Sequence, residues 1–508
     1  MLFLGIDLGS SSIKLSVYDA DKGHTLAAIG VPEQEMGFFA ENIGWAEQDP
    51  NQWWHYVKTG IATLKKDYNI DFSQISAVGI AYQMHGLVLT DAQLNPVRPS
   101  IIWCDSRAAQ IGEDLYNKIG HKECRDQILG SPGNFTVSKL KWVQEHEPEL
   151  FYKAVHMLLP GDFIAAKLSG RAQTTASGLS EAALWNFGEG RLAVEILEAF
   201  DLPVSIIPEI VPTFGEQATI SAEVAQELGF NPNVKITYRA GDQPNNALSL
   251  NVLKPGEIAT TAGTSAVIYS VTDKDAWDEQ NRINTFLHVN NTAEAKRNGV
   301  LLCVNGSGIL YSWLRRIMSL GNNEPVSYNK LNAEAMKAEP GSKGLRFYPF
   351  GNGVERIFNN KPIFSGIQNL NFNIHQSPEL VRSACESIVF AMNYGFDVMK
   401  ESGAGGTVVR AGMANLFLSP VFREIFANTT NTTVELYNTA GADGAARGAA
   451  YGSGFYKTLD EAFTGLHCLE RIEPSTQLSG VYTEIYQEWK MNINIEYKQN
   501  EQYKTSLL

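Results

Sequence analysis

The sequence predicts an α/β protein made of two similar halves. Three observations carry that prediction. Short β-type runs recur along the chain and stop at turns bearing Gly or Asp. Stretches with helical spacing lie between them, and such alternation marks an α/β domain. A strand–turn–strand unit also occurs twice, as Gly9-Ser-Ser-Ser-Ile-Lys-Leu-Ser-Val17 and as Gly263-Thr-Ser-Ala-Val-Ile-Tyr-Ser-Val271. With 508 residues the chain exceeds what one ordinary core organises, so two or three domains are expected.

Taken in order, residues 2–6 form an apolar run that ends in Asp7-Leu-Gly-Ser-Ser-Ser, and residues 13–18 form a second, giving strand, tight polar turn and strand. Asp49-Pro50 opens a helix. Asp49 is the N-cap, Pro50 takes the first helical position, and Trp53, Trp54, Val57 and Ile61 follow at helical spacing. Residues 75–82 are a further strand, stopping at Gln83-Met84-His85-Gly86. Residues 140–147 and 221–228 read as helices, and residues 233–238 as a strand that leads to Gly241-Asp242. There Asp242, with Pro244 behind it, has the composition of a helix N-cap. Leu253-Lys-Pro-Gly256 punctuates the chain and divides it into residues 1–250 and 251–508. In the second half, residues 258–261 and 433–437 are β-type. After the latter comes Ala440-Gly-Ala-Asp-Gly-Ala-Ala-Arg-Gly-Ala-Ala450, whose small residues admit two readings: close helix–sheet packing, or a surface where backbone approaches a flat nucleotide. Tyr482, Tyr486 and Trp489 have helical spacing near the end.

The chain is 44% hydrophobic and 19% charged, which fits a well-buried enzyme and not a disordered chain. Its formal charge of −14 argues against wrapping nucleic acid or docking on anionic lipid, although a local phosphate site needs only a Lys and backbone N–H groups. Cys104, Cys124, Cys303, Cys385 and Cys468 are scattered and odd in number, so neither a disulfide framework nor a zinc site is expected, and a reducing compartment fits. The apolar start reaches Asp7 too soon for a secretory leader, and no run approaches the ~18 apolar residues of a membrane span. A cytoplasmic chain with neither nucleic acid nor membrane as partner is the expectation.

Several turns could carry chemistry, because open α/β sheets place ligands at their strand ends. In Asp7-Leu-Gly9-Ser10-Ser11-Ser12 with Lys14, N–H groups and hydroxyls could surround phosphate oxygens while the carboxylate holds a hydrated Mg²⁺. An ordinary hairpin has the same composition. Gly263-Thr264-Ser265 is equally rich in donors. In Gly241-Asp242-Gln243, the carboxylate could accept a proton from a hydroxyl during phosphoryl transfer. His85 could hydrogen-bond a hydroxyl, with Met84 as an apolar wall. Asp105 and Arg107, in Trp103-Cys-Asp-Ser-Arg107, make either a surface ion pair or a clamp for a polyol.

Together these residues resemble the FGGY family of carbohydrate kinases over nearly the whole chain. Gly5-Ile-Asp-Leu-Gly-Ser-Ser-Ser-Ile-Lys14, Gly44-Trp-Ala-Glu-Gln-Asp-Pro-Asn-Gln-Trp-Trp54, Gln83-Met-His-Gly86, Trp103-x-Asp-x-Arg107, Gly241-Asp242 and Gly263-Thr-Ser265 occur in family order. Thr136-Val-Ser-Lys-Leu-Lys-Trp-Val-Gln-Glu-His146 and the stretch from Gly366-Ile367 to Glu379-Leu-Val-Arg-Ser-Ala-Cys-Glu386 look like the two family signatures. The resemblance implies two actin-like (ribonuclease H-like) ATPase domains with an active-site cleft between them. Residues 1–250 would bind sugar and end in the catalytic Asp, and residues 251–508 would bind nucleotide. It implies ATP, Mg²⁺ and transfer of the γ-phosphoryl to a terminal hydroxyl of a small-molecule ketose. Carried over residue by residue, Asp242 is the base and Asp7 the acid near Mg²⁺. Ser10, Ser11 and Lys14 match the first phosphate loop, and Gly263, Thr264 and Ser265 the second. Met84 and His85 contact sugar. Gly412 and Asn415, with Gly441 and Gly444, hold the adenosine.

Some positions depart from the family pattern. Gln243 stands where Asn is frequent beside the base, which leaves open another ketose such as sedoheptulose or L-ribulose. Glu355-Arg356 is what persists of a usual Ser-Gly-Glu-Arg, and Ala411-Gly412-Met413-Ala414 is a diluted glycine-rich turn. The second signature carries extra residues after Ile367, and Cys385 replaces an aliphatic residue. A reading of another class, an actin-like ATP-binding scaffold, leaves His85, Asp105, Arg107 and Asp242 without a purpose. A homodimer is left open.

Overall fold

The computed structural model describes residues 1–320 and 324–506, which form two compact units. The first comprises Met1–Leu253 together with two later returns, Thr285–Gly299 and Thr439–Leu466. The second comprises Lys254–Asn284, Val300–Asn438 and the chain from His467 onward. The first unit's main run ends at Leu253, and that unit is completed by later chain.

The first unit is organised by six strands: β1 (Leu2–Leu8), β2 (Ile13–Asp19), β3 (His24–Val31), β4 (Ile75–Tyr82), β5 (Phe214–Thr219) and β6 (Lys235–Gly241), in the order β5-β6-β4-β1-β2-β3. Strands β1, β4 and β6 run parallel, and β2, β3 and β5 are antiparallel to their neighbours. The parallel strands are nearly all buried, which is why they read as continuous apolar runs. Their register decides where the site lies. Leu8 pairs with Tyr82, and Tyr82 with Gly241, so the three strands end in one row.

Helix α1 (Pro50–Asp67) starts as expected: the Asp49 carboxylate accepts the Asn51 N–H at 2.9 Å, and Trp53, Val57, Ile61 and Leu64 are buried. Helix α2 (Thr136–His146) begins four residues before the expected one, because Thr136, Val137, Ser138 and Lys139 are buried as well. The short helix α3 (Ala176–Glu181) and α4 (Asp242–Ser249) complete the elements that frame the site. Strand β6 runs past the expected residue 238, because pairing with β4 continues through Arg239 and Gly241. Arg239 is buried there on an ion pair to Asp162 at 3.0 Å.

The second unit repeats the plan. β7 (Glu257–Ala262), β8 (Ala266–Thr272), β9 (Asn298–Val304), β10 (Val408–Gly412), β11 (Thr433–Tyr437) and β12 (Cys468–Ile472) run in the order β9-β8-β7-β10-β11-β12. A hairpin again leads to a parallel neighbour, with β7, β10 and β11 parallel and β12 antiparallel. The helices α5 (Gly308–Met318), α6 (Ser377–Glu401) and α7 (Pro420–Thr430) cover it. The duplicated strand–turn–strand unit is thus the first hairpin of each sheet.

Helix α8 (Gly441–Gly452) belongs to the first unit and crosses its parallel strands. A Cβ on Gly5 would strike the Ala442 carbonyl, and one on Gly79 the Ala445 carbonyl. Gly5 and Gly79 pair in register, so two adjacent strands leave a shallow bed for the helix. From the helix, Asp443 accepts the Ser16 hydroxyl at 2.5 Å and the Thr25 hydroxyl at 2.7 Å. The small residues of this segment therefore serve close packing. In the second unit α9 (Thr476–Ser506) buries Tyr482, Tyr486 and Trp489, which confirms their spacing. Among the described residues no helix is long and apolar enough to cross a membrane, and the five cysteines form no disulfide with one another.

Candidate active site

The aligned ends of β1, β4 and β6 bring Asp7, the turn Gln83-Met84-His85 and Asp242 to one edge of the first sheet. Asp242 is not the cap that its sequence context indicates. Gly241, still extended, is the N-cap, and Asp242 is the first residue of α4. Its carboxylate stays partly accessible, yet it is set deep enough that burial, helped by the charge of Asp7, lifts its pKa from 3.8 to about 7. The backbone N–H and side-chain amide of Gln243 oppose that rise. Asp7 is likewise raised by burial, and Lys14, its cross-strand partner, pulls it down. Gly441 lies directly against the Asp7 carboxylate, in space that a side chain would fill, and the Asn245 amide donates to the Gly441 carbonyl at 2.8 Å.

His85 occupies the left-handed region at φ 60°, unusual for a residue with a Cβ. Two contacts hold it there. Lys139 Nζ donates to the His85 carbonyl at 2.8 Å and to the Ile102 carbonyl at 3.0 Å, and His85 Nδ1 lies 2.9 Å from the Glu181 carbonyl. A carbonyl only accepts, so Nδ1 carries the proton and Nε2 of the neutral ring is an acceptor. The ring packs edge-on to Phe135 at 4.7 Å and against Phe286 at 5.4 Å. Met84 is buried beneath, and a Cβ on Gly241 would meet both Met84 Cγ and the Glu181 carboxylate. Burial drives Glu181 well above the usual carboxylate range, reinforced by the charges of Asp242 and Asp162. Burial also lowers Lys139 to about 8, against the charge of Asp105.

Asp105 and Arg107 form neither a surface ion pair nor an open clamp. Both side chains are buried: Arg107 pairs with Asp105 at 2.7 Å and with Glu47 at 2.6 Å, and its guanidinium sits 3.8 Å over Trp45 and 4.8 Å from Trp142. Asp105 also accepts the N–H groups of Ala46 and Arg107, at 2.6 and 2.9 Å. Two tryptophans enclose the pair, which braces the wall behind the turn. Gly444 is buried against Ser249 and the Asn245 carbonyl. Ser10, Ser11 and Lys14 remain at the surface of the first hairpin, with the Gly9 N–H donating to the Ser12 carbonyl at 3.0 Å to close the turn.

In the second unit, Gly263, Thr264 and Ser265 form the hairpin turn between β7 and β8. The N–H groups of Gly308 and Ile309 donate to the Gly263 and Thr264 carbonyls at 3.0 and 3.1 Å, anchoring the turn on the start of α5. Asn415, left-handed at φ 54°, directs its side chain toward Gly263, and Gly412 ends the neighbouring strand β10. These predicted residues are therefore gathered at one edge of their own sheet. Glu355 is buried and pushed up to about 7 by that burial, while accepting the Asn305 N–H at 3.0 Å.

Lys139 and Glu181 also surround His85. A lysine on the buried face of a helical pattern was the available signal for the first, and nothing local marks the second.

The family models for the N-terminal and C-terminal domains of the FGGY family of carbohydrate kinases match residues 2–249 and 258–454. The chain is 28% identical to the xylulose kinase of Escherichia coli (strain K12) over 455 residues, covering 88% of this chain and 89% of that one. Its fold matches the crystal structure of a xylulose kinase from Rhodospirillum rubrum with a TM-score of 0.87, at 20% identity and over 98% of this chain and 100% of that one. It matches that of a gluconate kinase from Lactobacillus acidophilus equally well, with a TM-score of 0.87 at 21% identity over 99% of each chain. Each unit thus has the actin-like α/β architecture of sugar kinases.

Proposed function

The chain belongs to the FGGY family of carbohydrate kinases, and from that premise we propose that it transfers the γ-phosphoryl group of ATP to the terminal 5-hydroxyl of D-xylulose. The observation that carries this reading is the common row in which β1, β4 and β6 end, with Asp7, Met84-His85 and Asp242 along it. Asp242 accepts the hydroxyl proton as the new P–O bond forms, and a pKa of about 7 suits a base that works near neutrality. His85 Nε2 accepts a hydrogen bond from a second sugar hydroxyl, and Met84 walls the pocket. Ser10, Ser11 and Lys14 bind phosphate oxygens, as do Gly263, Thr264 and Ser265, while Gly412, Asn415 and Gly441 serve the nucleotide. The relatives named xylulose kinase support the choice of sugar.

Mg²⁺ fits the acidic residues. Asp7 and Asp242 each resist ionising, and Asp242 does so partly because of Asp7, an arrangement that a divalent cation relieves. No three-ligand cluster exists among the described residues, and Mg²⁺ takes one or two carboxylates, with water and phosphate oxygens filling its shell. When bound it neutralises charge on the β- and γ-phosphates. Asp7 would hold it through water.

Gln243, which leans on Asp242, favours a second reading with the same chemistry and a different ketose, such as sedoheptulose or L-ribulose. A coupled ADP-release assay on the full chain with ketoses, aldoses, polyols and gluconate separates these. D-xylulose is expected to lead in kcat/KM by about tenfold or more. No ADP release with D-xylulose ends that assignment, and sugar-independent ATPase stimulated by a protein partner points to a scaffold. Lys139→Met removes the donor that holds the His85 carbonyl. It should raise KM for the sugar about tenfold and leave KM for ATP within twofold, as steady-state kinetics would read.

A further inference from the structure

Beneath the candidate site runs a set of buried amides that phosphoryl transfer does not use. Gln48 is 1% exposed and sits in the stretch between β3 and α1. Its side chain makes four hydrogen bonds. Trp53 Nε1 and Gln83 Nε2 donate to its Oε1, at 3.1 and 3.2 Å, and its own Nε2 donates to the carbonyls of Ser10 and Gly37, at 2.7 and 3.1 Å. The orientation is forced. An indole N–H can only donate, so Oε1 must face Trp53 and the NH₂ is left for the two carbonyls. The Gln48 amide is then fully satisfied, which fixes its one orientation, while Gln83 Oε1 is buried without a partner.

The two ends of this network are the two turns that matter. Gln83, 2% exposed, directly precedes Met84-His85, and its backbone N–H donates to the Leu8 carbonyl at 2.7 Å. Ser10 is the first serine of the turn after β1, and Trp103 Nε1 lies 3.3 Å from its hydroxyl. An unbroken chain of hydrogen bonds therefore runs from the turn carrying His85, through Gln83 and Gln48, to the backbone of Ser10.

We propose that Gln48 is a positioning residue that locks the Ser10 turn to the Gln83-Met84-His85 turn, so that a change at one is felt in the affinity of the other. The assignment rests on the reading that the Ser10 turn binds phosphate and the His85 turn binds the sugar hydroxyls. Gln48 touches neither ligand. It acts by fixing where the Ser10 carbonyl, and with it the following N–H groups, can point.

The experiment reads the effect crosswise. In the full-length protein, Gln83→Leu alters the hydroxyl side, and the dissociation constant of a non-hydrolysable ATP analogue with Mg²⁺ is measured by calorimetry with no sugar present. A rise of about tenfold is expected, the size of one buried hydrogen bond lost with its partner left unsatisfied. Gln48→Glu should match it, since a carboxylate keeps the acceptor for Trp53 and Gln83 but sets an oxygen against the Ser10 and Gly37 carbonyls. The double variant Gln48→Leu with Gln83→Leu should bind no more weakly than Gln48→Leu alone, because both changes cut one chain. Where Gln48→Leu does not fold, Gln48→Glu and Gln83→Met make the same comparison. A purely structural role lowers the melting temperature and leaves this constant within twofold of wild type, and that result overturns the proposal. So do losses that multiply in the double variant. Nucleotide binding is read without sugar, so a failed ketose panel removes the substrate assignment and leaves this outcome standing.

Discussion

Asp242→Asn should lower kcat by about 10³-fold, while the affinity for nucleotide stays within about threefold. The substitution keeps size and hydrogen-bonding reach at the start of α4 but removes the group that can take a proton. Among the described residues no other carboxylate takes that position: Asp7 lies on β1, with β4 between it and β6, opposite Lys14, and Glu181 is buried behind Gly241. Single-turnover ADP formation separates the chemical step from release. Full activity in the variant would falsify the mechanism. A second readout has the opposite sign. A carboxyl whose folded pKa is raised contributes stability below its unfolded value and loses it as pH climbs through the folded one. In metal-free protein, Asp242→Asn should match wild type in heat stability below pH 3.8 and gain on it up to about pH 7, staying ahead by a constant margin beyond. Melting curves in a chelator across that range test it, and a variant less stable than wild type at pH 8 contradicts the burial argument.

Gly79→Val should cost the protein its first unit. Gly79 lies mid-strand in β4, where α8 passes so close that a Cβ would overlap the Ala445 carbonyl and press on Ala449. The obstacle is backbone, so no rotamer clears it, and the helix has to lift. Lifting also opens the contacts of Gly5 with Ala442 and of Gly448 with the Tyr238 ring. Overpacking of this kind costs about 3 kcal/mol or more, and the melting temperature should fall by roughly 6–12 °C, or the protein should be recovered insoluble. Gly30→Ala is the control: nothing lies within 4 Å of its would-be Cβ, and its melting temperature should stay within about 2 °C of wild type. A Gly79→Val protein that melts with the control would mean that α8 does not rest on this bed.

What the sequence made legible was the part that depends on short-range pattern. Residues 75–82 and 433–437 are strands with the bounds that their apolar runs indicate, and the repeated unit is the opening hairpin of both sheets. Strands buried on both faces carry that signal in every residue. Less legible was anything set by distant partners. Asp105 and Arg107 are two residues apart in either reading, and only Trp45 and Trp142 decide that they are walled in. Asp242 looks like a cap because Pro244 follows, but β6 runs on to Gly241, past the residue 238 that the pattern shows, and the cap becomes Gly241. Gln48 and Glu181 owe their roles to neighbours far along the chain, which composition and spacing do not record.

Helix α8 also sets an order of events during synthesis. The sheet it covers is made from residues translated before Leu253, but the helix begins only at Gly441. A nascent chain thus carries the bare Gly5–Gly79 face while the whole of the intervening stretch is being translated. Domains generally fold in the order in which they emerge. Here the earlier one waits for the later, and a chain released before Gly441 would present an open apolar sheet to whatever chaperone or neighbour meets it first.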